Sequence, residues 1–373
     1  MHEHIILLFW TYLTLVFFIF VVMDKKYTIK DIAKLSGVSK GTVDRVLHKR
    51  GRVSENALQK VTKVLQEIKY EPNLIARNLK SKKIHKIGVL MPDPKIDAYW
   101  QPCVEGIEDA IKEMKTFKVS IELVYFNPKS VSSFLESNET IITANPDAVL
   151  LVPLFYKETL SIVDKYKEQQ IMVSTFNNQL TSEAVACFVG QNLFQSGRVA
   201  AKLISSVVPE GNLAIIHVDE VYKNAIHMQE KAKGFKSFFK EIENSSYTLH
   251  TCKIQQKDFK NSLLKFFSKH PDIRGLFITT SKAFKIAEFV ISQRKSPKPV
   301  IVGYDLLKEN IEYLQNNTID FLIHQNQKQQ ANLAIMSMLD YFIFEKKINK
   351  EILLPIQIIN SENYHSYLDS VNA

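Results

Sequence analysis

The sequence predicts an α/β protein in which a small all-α helix-turn-helix segment precedes two doubly wound α/β subdomains. Three observations carry that expectation. Basic charge is concentrated near the N-terminus, short helical patterns underlie it, and from Ile84 onward β-branched apolar runs alternate with helical stretches. A chain of 373 residues exceeds one ordinary core, and 46% hydrophobic with 23% charged residues is a globular balance. Four segments are expected: 1–23, 24–71, 72–83 and 84–373.

The first segment stands apart. Ile5 to Met23 is 19 residues without a charged side chain, and at about 1.5 Å of rise each it could almost cross a bilayer's hydrocarbon core. Lys25 and Lys26 follow at once. A signal peptide, a membrane tether with the lysines on the cytoplasmic side, and translated sequence upstream of the true start all fit such a run. Against a signal peptide, the run is preceded by His-Glu-His rather than Lys/Arg, and no small-residue cleavage site precedes Asp24.

Charge is unevenly placed. Asp24 to Lys86 holds 17 Lys/Arg against 6 Asp/Glu, so this stretch alone stands at +11 within a chain of net +9. A polyanionic partner for that segment follows. Three short helices fit its pattern. Thr28 caps the first, which buries Ile29, Ile32, Ala33 and Leu35. Gly37 takes the positive φ of a turn, and Ser39 caps a second helix with Val43, Val46 and Leu47 inward. Ser54 caps a third, carrying Leu58, Val61, Val64, Leu65 and Ile68. Two helices joined by a Gly turn, the second with Lys40, Thr42, Asp44, Arg45 and His48 largely free, form a helix-turn-helix suited to the major groove of DNA.

From Ile84 the strand runs are IGVLMP, VSIELVYF, PDAVLLVP, IMVSTF, EAVACFVG, NLAIIHV, IRGLFIT and KPVIVGY. Helices such as QPCVEGIEDAIKEMK and SGRVAAKLISSVV separate most of them. Such alternation makes βαβ units and parallel sheets, and eight runs suit two subdomains.

The stretch from Thr28 to Leu79 closely resembles the DNA-binding headpiece of the lac repressor family of bacterial transcription regulators. The alternating region is similar to that family's effector domain, of the periplasmic-binding-protein type. The resemblance implies operator DNA as partner and DNA contacts from Thr28, Ser39, Lys40, Gly41, Thr42, Asp44, Arg45 and His48. Arg45 is placed for a guanine edge or a phosphate. Family members usually have Ser at position 44 and Asn at 48. Asp44 is open to a cytosine amino group or to pairing with Arg45 or a nearby Lys such as Lys40. LIARNLK matches the family's hinge helix, from Asn73 on, with Ala76 and Leu79 at the minor groove and Leu79 as the apolar wedge.

In the large domain the resemblance implies a sugar-like effector between the subdomains. These are expected at about 84–188 plus 322–350 and about 189–321 plus 351–373. Asp97, Tyr99 and Trp100 follow the first strand, where α/β folds bind ligands, and supply a polar contact and two stacking rings. Asn177, Phe259, Asp305 and Gln325 fall at other strand ends. Lys231 stands where relatives usually have Arg, and Thr280 where they have Asn, so the ligand is expected to differ.

Effector binding is expected to close the cleft and change the spacing of paired headpieces in a homodimer. A cytoplasmic regulator without a membrane partner follows. Met23 is then the expected true start, since MDKKYTIKDIAKLSGVS is how such a protein would begin. Cys103, Cys187 and Cys252 are scattered and read as reduced thiols, with one disulfide left open. No GxSxG, HExxH, P-loop or GxGxxG motif occurs. No catalytic residue, cofactor or metal is therefore expected.

Overall fold

The structure is a computed structural model that describes residues 27–70, 83–218, 225–242, 246–254, 258–293 and 297–372. The apolar segment 1–23 and the hinge residues Asn73, Ala76 and Leu79 lie outside the described residues. Two compact units divide the chain, Met1–Leu74 and Ile75–Ala373.

The first unit holds α1 (Ile29–Ser36), α2 (Lys40–Leu47) and α3 (Glu55–Glu67). Thr28 and Asp31 form a reciprocal capping box, the Asp31 carboxylate accepting from the Thr28 N–H at 2.9 Å. Gly37 ends α1 at φ 66°, and the Ser39 hydroxyl accepts from the Thr42 N–H at 3.1 Å to start α2. Ser54 sits at the cap of α3 without a side-chain bond to the helix. The expected cap there is positional only. Ile32, Ala33, Val43, Val61 and Val64 form the core; Leu35 and Leu58, expected inward, are exposed. A three-helix unit this small leaves the edges of its apolar stripes in water.

The second unit contains two six-stranded sheets. Sheet one runs β11 (Glu351–Leu353), β5 (Val185–Gly190), β4 (Met172–Phe176), β3 (Ala148–Leu151), β1 (His85–Pro92), β2 (Val119–Phe126), all parallel. Sheet two runs β12 (Gln357–Ile359), β10 (Phe321–His324), β9 (Val300–Tyr304), β8 (Ile273–Ile278), β6 (Gly211–Val218), β7 (Tyr247–Ile254), with only β12 antiparallel. All eight expected runs are strands. The four unforeseen ones are β7, a half-exposed edge strand, and β10 to β12, of four residues or fewer.

Helices cover both faces of each sheet, as parallel strands buried on two sides require. On sheet one, α4 (Gln101–Glu113) and α12 (Gln327–Phe344) bury Cys103, Ile107, Ile335 and Met338 against Val89 and Leu150. The opposite face packs Phe134 of α5 (Val131–Ala144) and Ile162 and Tyr166 of α6 (Tyr156–Glu168) against Leu90 and Leu151. On sheet two, α7 (Leu193–Val207) and α8 (Ile226–Glu241) bury Ile204 and Phe235 over Phe277. On its other face lie α9 (Phe259–Lys269) and α10 (Ala283–Ser292), while α11 (Lys308–Gln315) and α13 (Tyr364–Asn372) add to that cluster. The three cysteines are free and buried.

The chain passes between the lobes three times, after β5, after β10 and after β11. Residues 322–324 pair with β9 or β12 and so belong to lobe two, whereas 351–353 pair with β5 in lobe one. The expected subdomain limits thus move by a few residues, because short crossing strands carry no hydrophobic pattern that assigns them to a sheet. Lys83, last in the expected linker, pairs with Asp147 at 3.3 Å.

Candidate DNA-binding face and effector cleft

The α2 face is arranged as its pattern requires. Lys40, Gly41, Asp44 and Arg45 are exposed, Thr42 and His48 are half-buried, and Val43 is fully buried beneath them. Asp44 Oδ1 lies 3.5 Å from His48 Nε2. Its partner is thus His48, one turn on, in place of the expected Arg45 or Lys40, which leaves both cations on the open face. A Cβ built on Gly41 would meet only Ser39 Oγ, at 3.8 Å. Nothing in the packing of the unit requires glycine there.

In the second unit, polar side chains from both lobes converge at the crossing segments. Asp305 follows β9 at φ 66° and Asn177 follows β4 at φ 68°, a left-handed geometry that asparagine and aspartate adopt more readily than most residues. Asp305 is fully buried; its carboxylate accepts from Gln325 Nε2 at 2.8 Å and from the Gln325 N–H at 3.2 Å. Gln325 Nε2 also donates to Tyr99 Oη at 3.2 Å, and Asn177 Nδ2 donates to the same oxygen at 2.5 Å. One hydroxyl therefore ties lobe one to the crossing strand.

Burial, opposed by Lys231 and by the bonds from Gln325, raises the Asp305 pKa to about 6. The same burial, with Asp305 nearby, pushes the Tyr99 phenol well above its ordinary value. Lys231 is 2% exposed, donates to the Thr279 carbonyl at 3.2 Å, and stands 3.6 Å from the centroid of the Tyr304 ring. Thr280 is buried two residues beyond the end of β8. At the rim, Lys282 Nζ comes within 4.0 Å of Asp97 Oδ2 across the two lobes.

Two expected contacts sit differently. Trp100 lies edge-on to Tyr99 at 4.8 Å within the core of lobe one, because the short helix Ala98–Trp100, capped by Asp97, turns its ring toward Met91 and Ile335. Phe259 opens α9 and packs against the core of lobe two, with Lys285 Nζ 5.6 Å above its ring.

Three polar residues were not foreseen. Gln330 is buried and donates to the Gln325 carbonyl at 2.6 Å while receiving Asn177 at 3.5 Å. Gln191, on the first crossing, donates to the His324 carbonyl at 3.0 Å and to that of Pro355 at 2.8 Å, so one amide joins all three crossings. Asn310 is also buried and donates to the carbonyls of Tyr304 and Asp305 at 2.9 and 3.0 Å, bracing the strained Asp305 turn.

Helix packing fixes Lys231. Gly197 of α7 faces the Lys231 carbonyl and Gly234 of α8 faces that of Phe194, each so close that a Cβ would collide with backbone. The reciprocal glycines let the helices touch, and that contact sets the depth of Lys231.

A family model described as "Bacterial regulatory proteins, lacI family" matches residues 28–73, and one described as "Periplasmic binding protein domain" matches residues 87–346. The chain is 25% identical over 346 residues to the ribose operon repressor of Lactococcus lactis, covering 90% of this chain and 97% of that protein. It is 25% identical over 340 residues to the sucrose operon repressor of Streptococcus mutans, covering 89% and 98%. A crystal structure described as a LacI transcriptional regulator from Bacteroides fragilis superposes with a TM-score of 0.72 at 25% identity, over 76% of this chain and all of that one.

Proposed function

We propose, from the premise that this chain belongs to the lacI family of bacterial regulatory proteins and carries a periplasmic binding protein domain, that it is a transcription regulator whose hold on operator DNA is set by a hydroxyl-rich small molecule. The observation that carries the effector class is the buried set of Asp305, Gln325, Asn177 and Tyr99 at the lobe crossings. A carboxylate and two amides, already oriented by one another, can exchange the Tyr99 hydroxyl for the paired hydroxyls of a sugar or polyol. The relatives' names refer to ribose and sucrose operons, which supports a carbohydrate-type effector.

Lys231 gives a single ammonium where a forked guanidinium would bind two adjacent hydroxyls. The preferred ligand therefore presents one acceptor oxygen above Tyr304. Closure around it draws Asp97 toward Lys282 and changes the lobe angle, which a homodimer transmits to a pair of headpieces. By linkage, an effector that weakens DNA binding is itself bound less tightly by the DNA complex. Such a protein works in the cytoplasm. Among the described residues no helix is long and apolar enough to cross a membrane. N-terminal sequencing of the native protein decides whether Met23 is its first residue.

Calorimetric titration with pentoses, hexoses, disaccharides and polyols tests the cleft. One class should bind the wild type and lose at least tenfold, about 1.4 kcal/mol, in Asp305→Asn. Equal binding by both proteins, or none by any class, rejects it.

A further inference from the structure

The second crossing strand has two sides, and only one faces the effector cleft. Gln325 reaches Asp305 and Tyr99 on that side. Its neighbour His324, with the opposite side-chain direction of an extended chain, lines a separate cavity of about 680 Å³. Asp109, Lys328 and Asn332 of lobe one form one wall. Gln357, Ser366 and Tyr367 of lobe two form the other.

The cavity is polar, and its charged lining residues are Asp109, Glu113 and Lys328. Asp109 is held by Lys328 at 3.0 Å and Lys112 at 3.3 Å. His324 Nδ1 and Gln357 Oε1 are buried and have no hydrogen-bond partner among the described residues. Burial lowers the His324 pKa to about 4, so the ring is a neutral donor or acceptor at pH 7. The Tyr367 ring stands 6.3 Å from it, edge to face. Among the described residues no cluster of three or more His, Cys, Asp or Glu could hold a metal. The groups without a partner are a neutral amide oxygen and a neutral imidazole nitrogen beside a ring, which the hydroxyl groups of a polyol satisfy.

We propose that this cavity is a second small-molecule site, back to back with the effector cleft, for a neutral polyhydroxylated ligand of monosaccharide size. Its volume lies within the range of small-molecule sites. The walls belong to different lobes, so its shape depends on the lobe angle. Both sites also share the His324–Gln325 peptide. A ligand in one therefore alters affinity in the other, and the coupling is reciprocal.

Nitrogen-15 NMR of the full chain tests this, with the His324 ring nitrogens reporting on the second cavity and the Asn177 side-chain amide, which donates to Tyr99 Oη, on the cleft. D-ribose, D-glucose and myo-inositol are the probes. At least one should shift His324 saturably. That response should persist in Asp305→Asn and weaken roughly tenfold in Ser366→Leu, an exposed position, and in Gln357→Leu. No saturable His324 shift with any probe overturns the proposal. So does a shift that disappears with the cleft in Asp305→Asn. A His324 response without one at Asn177 upholds the second site while counting against the cleft.

Discussion

Asp44 of α2 and His48 at its C-cap, the two positions that depart from the usual Ser and Asn of the lac repressor family, are partners of each other across one helical turn, 3.5 Å apart. A carboxylate on the face proposed to meet DNA phosphates would repel them if it stood alone. Pairing it with the imidazole turns that charge along the helix and leaves Lys40 and Arg45 exposed.

The pair should therefore behave as a unit. At this exposure it contributes about 0.2–0.5 kcal/mol to the headpiece. Asp44→Ala and His48→Ala should each cost about that in urea unfolding, and the double substitution no more than one of them. Additive losses would show that the two do not interact. On DNA, Asp44→Ala should tighten binding across all sequences while His48→Ala should weaken it, read by fluorescence anisotropy at fixed salt.

Gly41 is exposed and unconstrained, with a positively charged neighbour on either side of its turn of helix, Lys40 and Arg45. Gly41→Ala should raise headpiece stability by roughly 0.5–1 kcal/mol through helix propensity alone. A gain in melting temperature with altered operator preference fits a base-facing position. An unchanged preference would place Gly41 away from the bases.

Asp305 makes stability depend on pH in an unusual direction. Its folded pKa of about 6 is above the ordinary 3.8, so the folded protein holds this proton more tightly than the unfolded chain. The resulting stabilisation is present in full below the ordinary value and is lost as pH rises through about 6. In denaturant unfolding from pH 4 to 7, wild type should lose stability relative to Asp305→Asn. Parallel profiles would show that burial does not perturb this carboxyl. Effector affinity, which needs the carboxylate as acceptor, should rise over the same interval.

Close helix contact, rather than a side-chain bond, sets the position of Lys231. Gly234→Ala places a methyl group against the Phe194 carbonyl, and such overpacking costs about 1–3 kcal/mol. The variant should melt lower and bind effector more weakly, because α8 must move and carries Lys231 with it. Weaker binding without a loss of stability would locate the effect elsewhere.

The headpiece was legible almost to the residue because its signals are local. A capping box at Thr28, a positive φ at Gly37 and a cap at Ser39 act within four residues of themselves. Strands buried on both faces were legible as continuous apolar runs. Edge strand β7 was not, since Thr248, His250, Thr251 and Lys253 interrupt its apolar residues while the equally exposed edge strand β2 keeps Val119, Ile121, Leu123 and Val124, and β10 to β12 are too short to show a period. The network around Asp305 includes Asp305 and Gln325, which the resemblance singled out as candidates along with the nearby Lys231. Gln191, Gln330 and Asn310 act on backbone carbonyls brought near by folding, and no spacing in the chain announces such partners. The Trp100 ring went to the core because a short capped helix follows the strand in place of an open loop.

The central claim joins the α2 face to the Asp305 cleft through one allosteric equilibrium. It is tested most directly by footprinting the full chain on the DNA beside its own gene, with and without the sugar or polyol that calorimetry finds, at two salt concentrations. A sequence-specific, salt-sensitive footprint that the ligand strengthens or removes in wild type, and leaves unchanged in Asp305→Asn, is the expected result. A footprint indifferent to every ligand that occupies the cleft, or no specific footprint at all, would contradict it.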